Sequence, residues 1–88
     1  MSPITRTTVA DKLLGYMRHQ LTLSQLVAWS EDAILNAELA EGDEALLMEI
    51  LGKLGVADVR AFGLTWEECE QIMRRLGYTL HIEASRAA

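Results

Sequence analysis

The spacing of apolar residues predicts helices along most of the chain and a strand at its C-terminal end. The clearest helical stripe has the i, i+3, i+4, i+7 spacing of one buried helix face and consists of Cys69, Ile72, Met73 and Leu76. After Gly77 the pattern changes to strict alternation, which is typical of a half-buried strand. One face of this strand carries Tyr78, Leu80, Ile82 and Ala84, and the other carries Thr79, His81 and Glu83.

Two helices are predicted in the N-terminal half of the chain. Thr8 is the expected N-cap of the first helix, which should end near His19 or Gln20. The second helix begins at Thr22, where Gln25 lies three residues later and completes a capping box. Its predicted buried stripe consists of Leu26, Val27, Ser30, Ala33, Ile34 and Ala37. Trp29 lies on the flank of this stripe, either at the edge of the core or as an interface anchor.

The C-terminal half contains a third helix, a single helical turn and a fourth helix. Asp43 is the expected N-cap of the third helix, and Asp58 is the expected start of the short turn. The fourth helix begins at Thr65, which forms a second capping box with Glu68. Leu64 and Cys69 occupy the positions of a hydrophobic staple at its start, as Leu21 and Leu26 do in the second helix.

The predicted fold class is mainly α, a small helical bundle of three principal helices plus a short turn-helix, with one C-terminal β-strand. Residues 1–88 are expected to form a single domain in which segments 1–7 and 85–88 are flexible. The one cysteine excludes an internal disulfide and suits a reducing compartment. No apolar run approaches the roughly 20 residues that span a bilayer. We therefore expect a cytoplasmic protein that does not bind membranes.

The predicted C-terminal strand needs a pairing partner. Within the chain, the one other stretch with strand propensity is the N-terminal "SPITRTT", which is short and lacks an apolar face. The alternatives are the same strand of a second copy or an edge strand of another protein. Because symmetric dimers are the commonest soluble oligomers, we expect a homodimer in which Tyr78, Leu80 and Ile82 form the dimer strand.

Negative charge is concentrated in the middle of the chain, whose net charge is −5. Residues 31–49 contain no Lys or Arg and seven acids: Glu31, Asp32, Glu38, Glu41, Asp43, Glu44 and Glu49. We expect an acidic belt, defined as Glu38, Glu41, Asp43, Glu44 and Glu49, to bind a basic protein. The alternative is that these acids are only the solvated faces of helices. Since such a surface repels phosphate, nucleic-acid binding is not expected.

The residue types that carry out catalysis are sparse. Cys69 is the only thiol, and its place on the apolar stripe favours a packed, inert side chain. His81 and Glu83 would share one strand face, but two ligands without a third make a poor metal site. No phosphate-binding loop, nucleophile elbow or zinc pattern occurs. We expect no enzyme activity, no metal and no cofactor. The alternative is a small enzyme or ligand-binding protein that uses the Cys69 and His81 region.

Two segments, "LTLSQLVAWSEDAILNAEL" and "ADVRAFGLTWEECEQIMRRLGY", give the chain a resemblance to a known group of proteins. The residues that carry it are Leu26, Val27, Trp29, Leu64, Thr65, Trp66 and Gly77. The chain resembles a family of small uncharacterised bacterial cytoplasmic helical proteins with no established activity, so no functional residues follow. By size, charge and helix content it is also similar to small acidic helical immunity proteins and antitoxins. The expected function is a non-catalytic protein–protein interaction module that neutralises a basic partner.

Overall fold

The computed structural model describes residues 3–59 and 64–80, and within them the chain is mainly helical. The helices are α1 (Arg6–Met17), α2 (Leu23–Asn36), α3 (Glu44–Gly55) and α4 (Trp66–Arg75), with a 3₁₀ turn at Ala57–Val59. The predicted mainly-α bundle is therefore confirmed, although the described residues form four α-helices besides the short turn rather than the three principal helices predicted. In the part of the chain that the structure describes, no helix has the length and apolar character needed to cross a membrane.

The core is centred on the packing of α2 against α3, which is the most extensive contact between elements. The predicted stripe of α4 is buried throughout, and that of α2 is buried up to Ala33, whereas Ala37 is exposed. Ser30 is the one buried polar side chain among the described residues, and its hydroxyl donates to the Leu26 carbonyl at 2.9 Å. This bond satisfies the hydroxyl, so Ser30 places a small side chain in the core without an unpaired polar group.

The first helix begins earlier than the sequence predicts. Its N-cap is Thr5 rather than Thr8, because the two side chains bond reciprocally: Thr5 Oγ1 accepts from the Thr8 amide at 3.2 Å, and Thr8 Oγ1 accepts from the Thr5 amide at 3.1 Å. Ile4, within the segment expected to be flexible, is buried and forms a parallel bridge with Leu39. In this bridge the Ile4 amide donates to the Glu38 carbonyl, and the Ile4 carbonyl accepts from the Ala40 amide, both at 2.8 Å.

Asp43 occupies the N-cap position of α3 but does not cap the helix with its side chain. Its carboxylate instead accepts a hydrogen bond from Arg6 Nη2 at 2.9 Å, so the predicted capping bond is wrong. Glu44, the first residue of α3, accepts from the Gly42 amide at 2.7 Å. The Asp43 carboxylate thus bonds to the Arg6 guanidinium instead of a backbone amide of α3. This charged hydrogen bond links the start of α1 to the start of α3.

No strand occurs in the described residues, so the predicted C-terminal strand is not supported. Gly77 has a positive φ of 97°, as is common for the C′ residue of a helix, and the Tyr78 amide donates to the Met73 carbonyl at 2.9 Å. The Tyr78 hydroxyl then lies 3.1 Å from Thr7 Oγ1, and Leu80 packs against the core. The remaining strand positions, 81–84, lie outside the described residues.

Candidate functional site: an apolar groove and an acidic loop

A groove of about 430 Å³ opens where the end of α1 meets the starts of α2 and α4. We call it the α1–α2–α4 groove. The residues that line it are Tyr16, Met17, His19, Leu21, Thr22, Leu23, Leu64, Trp66 and Cys69. Apart from the His19 imidazole, these side chains are apolar, aromatic, thiol or hydroxyl groups, and among the described residues no Asp, Glu, Lys or Arg lines the groove.

The turn between α1 and α2 shapes one wall of the groove. His19 adopts a positive φ of 62°, and the amides of Gln20 and Leu21 both donate to the Gly15 carbonyl, at 2.8 and 3.1 Å. The turn folds Leu21 back over Gly15, where an added Cβ would lie 3.3 Å from Leu21 Cδ1. Gly15 therefore allows the close approach that places Leu21 in the groove wall.

The two predicted N-caps lie beside the groove: the capping box is complete at Thr22, whose amide also donates to Gln25 Oε1 at 2.9 Å, and Thr65 caps α4 with its side chain. Thr22 Oγ1 accepts from the Gln25 amide at 3.1 Å, and Thr65 Oγ1 accepts from the Glu68 amide at 3.2 Å. The apolar residue before each cap, Leu21 in one case and Leu64 in the other, lines the groove. The groove itself was not predicted, although these two staple residues and the adjacent Trp66 are the sequence signal that marks it.

Cys69 lies at the groove wall with 2% of its surface exposed. Burial, followed by the neighbouring Glu68 carboxylate, raises the pKa of the Cys69 thiol to about 11. The thiol therefore remains protonated at neutral pH, the opposite of what nucleophilic catalysis requires. His81, the other residue of the enzyme alternative, lies outside the described residues. Within the described ranges, no group of three His, Cys, Asp or Glu side chains is placed to hold a metal ion.

Two carboxylates of the acidic belt are already paired within the protein. Asp43 is bonded to Arg6, as described above, and Glu49 of α3 accepts a hydrogen bond from Arg75 of α4. This bond and the positive charge of Arg75 lower the pKa of Glu49 below its ordinary value. The structure therefore does not present the five belt acids as one uniform surface.

Glu38 and Glu41 lie in the loop between α2 and α3, and both are exposed. Among the described residues, neither carboxylate has a hydrogen-bond or ion-pair partner. Glu44 is also exposed, although it accepts from the Gly42 amide. We call Glu38, Glu41 and Glu44 the acidic loop. Since α2 has 14 residues and rises about 1.5 Å per residue, roughly 21 Å separates this loop from the groove.

The two tryptophans occupy different surroundings. Trp29 is half-buried against the core, and Lys12 Nζ lies 5.5 Å from the centroid of its ring, within cation–π distance. Trp66 is 41% exposed and lines the groove. Trp29 is thus a core-edge residue covered by a lysine, whereas Trp66 presents aromatic surface to solvent among the described residues.

Comparison with known proteins gives no relative: no protein-family description, curated protein or solved structure matches this chain. The resemblance to small bacterial helical proteins, and the looser similarity to immunity proteins and antitoxins, both stay predictions.

Proposed function

We propose that this protein is a non-catalytic interaction module that binds a basic surface of another protein through the acidic loop. The observation that carries the proposal is the contrast within the belt. Asp43 and Glu49 are neutralised by arginines of the same chain, whereas Glu38 and Glu41 are exposed without a cation among the described residues. The surface available to a partner is therefore narrower than the sequence predicts.

Electrostatics of this kind acts mainly on the rate of association and on the choice of partner. An exposed ion pair contributes only about 0.2–1 kcal/mol, so the acidic loop alone supports weak binding. Several like charges together accelerate the encounter with a basic protein and repel acidic competitors. A partner that the protein neutralises, as an antitoxin or immunity protein would, fits this chemistry if its own functional surface is basic.

The alternative is an enzyme or a ligand-binding protein that uses the Cys69 region, and the two possibilities are not equally supported. The raised pKa of the Cys69 thiol argues against a thiolate nucleophile at neutral pH. The groove beside Cys69 favours ligand binding over catalysis, because its lining is apolar and lacks a charged acid–base pair.

A pair of double variants tests the proposal. Glu38→Lys/Glu41→Lys reverses the unpaired charges of the acidic loop. Asp11→Lys/Asp58→Lys changes the net charge by the same amount at exposed positions outside it. Each protein, with the wild type, is used to capture partners from a lysate of the native host, and the captured proteins are identified by mass spectrometry. The association rate of a purified candidate is then measured at low and high salt.

We expect a basic protein that the wild type and the Asp11/Asp58 variant retain and that the Glu38/Glu41 variant loses. The association rate of this protein should fall as the salt concentration rises, because salt at 0.1 M screens interactions between charges more than roughly 10 Å apart. Equal retention by both double variants, or an association rate independent of salt, would show that the acidic loop is only a solvated surface.

A further inference from the structure

We propose that the α1–α2–α4 groove is a docking site for an amphipathic helical segment of a partner protein, with bulky apolar anchors and Lys or Arg beside them. This inference rests on the proposed function in that the occupant is a basic protein. The proposed function uses only the acidic loop. This inference adds a second contact surface, the groove, about 21 Å from that loop.

The size of the groove suits side chains of one segment. Its volume of about 430 Å³ is near the lower end of the roughly 300–1,000 Å³ range of ligand pockets. A few anchors at i, i+3 or i+4 spacing on an amphipathic helix occupy grooves of this kind. Interface energy concentrates in such buried anchors, which supply the affinity that exposed ion pairs lack.

The lining of the groove specifies apolar anchors. Within the described residues, no Asp, Glu, Lys or Arg lines it. Leu21, Leu23 and Met17 are half-buried there, and the protonated Cys69 thiol adds to the apolar wall. An anchor entering the groove thus meets apolar surface, and burying both surfaces contributes roughly 25 cal/mol per Å².

The charges beside the groove specify the flanks of the segment. Glu70 lies four residues after Trp66, so the two share one face of α4. Its nearest cation among the described residues is Arg74, at a long 3.7 Å. Glu67 follows Trp66 directly and is exposed. A Lys or Arg of the partner beside the Trp66 ring therefore finds the Glu70 carboxylate on the same face of α4, with Glu67 further round the helix at its exposed start.

The opposite wall carries the opposite charge. Arg18 is exposed at the C-cap of α1, next to His19 of the groove. The two walls together orient the segment, with its basic side toward α4 and away from Arg18.

Trp66 reports directly on occupancy of the groove. Trp29→Phe leaves Trp66 as the single tryptophan, since the chain contains two. The probes are an amphipathic helical peptide of Leu and Lys, the matched peptide of Leu and Glu, and octanoate. We expect the Leu/Lys peptide to shift the Trp66 emission to shorter wavelength with saturation, and the other two probes to leave it unchanged.

Two variants in the Trp29→Phe background separate the groove from the acidic loop. Glu67→Gln/Glu70→Gln should weaken binding of the Leu/Lys peptide by about fivefold, as expected for two exposed ion pairs. Glu38→Gln/Glu41→Gln removes the same charge from the acidic loop and should leave binding unchanged. Circular dichroism of each variant verifies that the helices are intact.

Four results would overturn the inference: no emission change with either peptide, equal binding of both peptides, equal loss of binding in both double variants, or binding of octanoate alone. The last would assign the groove to a small apolar anion. Peptide binding at the groove together with a salt-independent native partner would instead retain this inference and refute the role of the acidic loop.

Discussion

Arg75 of α4 donates a hydrogen bond from Nη2 to the Oε2 atom of Glu49 in α3. The bond joins two residues that lie 26 positions apart in the chain, and it neutralises an acid that the sequence assigns to a partner-binding surface. With the Arg6–Asp43 pair, it shows that the arginines flanking the acidic segment fold back onto it. Within the acidic belt, the charge left for a partner is therefore that of the acidic loop.

The Glu49–Arg75 bond predicts an acid-sensitive contact. The pKa of Glu49 is lowered in the folded protein, so this pair contributes stability above the unfolded-state pKa that is lost as pH falls through the folded-state pKa. Arg75→Gln should raise the Glu49 pKa toward its ordinary value of 4.5. Carboxyl titration by NMR measures it, and Arg74→Gln, which removes the adjacent cation, should leave Glu49 unchanged. An identical Glu49 pKa in wild type and Arg75→Gln would contradict the pairing.

Cys69 should react slowly with thiol reagents in the native protein. The thiol is 2% exposed and its pKa is raised to about 11, so both access and thiolate fraction are low. A chromogenic disulfide reagent reports the single cysteine, and its rate should rise sharply in denaturant. Because the folded-state pKa of the thiol exceeds its ordinary value of 9.0, stability should decline as pH rises from about 9 to 11. Immediate native-state labelling would instead favour a functional thiolate.

Two glycines inside helices form a matched pair for a stability test. Gly52 is exposed in α3, and an added Cβ meets nothing within 4 Å. Gly52→Ala should therefore raise the free energy of unfolding by about 0.5–1 kcal/mol. Gly15→Ala should raise the free energy of unfolding by less, because the added Cβ would lie 3.3 Å from Leu21 Cδ1 and push the Leu21 side chain out of its place in the groove wall. Denaturant unfolding measures both, and an equal gain at both sites would mean that Leu21 moves without cost.

The homodimer through the C-terminal strand stays a prediction, and the structure sharpens its test. Truncation after Leu80 retains the Tyr78–Thr7 contact and the packing of Leu80 while removing the rest of the predicted strand. We expect the intact chain to sediment as a dimer, and the truncated chain to sediment as a monomer with the same helical circular dichroism. A monomeric intact chain would leave the N-terminal segment or another protein as the pairing partner.

The capping pattern shows which features of the fold are readable from sequence. Thr22 and Thr65 were predicted correctly because each bonds to a residue three positions away. The start of α1 was misplaced because Thr5 and Thr8 are both good N-cap residues. They lie three positions apart and bond each other, so the sequence alone does not show which of them caps the helix. Local chemistry thus located the helices to within a few residues.

Long-range contacts explain the features that the sequence did not reveal. Asp43 was expected to cap α3, but its partner Arg6 lies 37 residues away in the chain. The groove likewise depends on the reversal at His19 and on the placement of Trp66 beside α1 and α2. A positive φ in a non-glycine residue leaves no periodic pattern in the sequence. The apolar residues of the two groove walls could therefore be identified from the sequence, but not the fact that the walls lie next to each other.

The bridge between Ile4 and Leu39 has a kinetic consequence. It joins residues that all of α1 and α2 separate, so closing it costs loop entropy until those helices have docked. We expect it to form after the main folding barrier. Ile4→Ala should then leave the refolding rate nearly constant and accelerate unfolding, which makes the N-terminal segment a determinant of how long the native state survives.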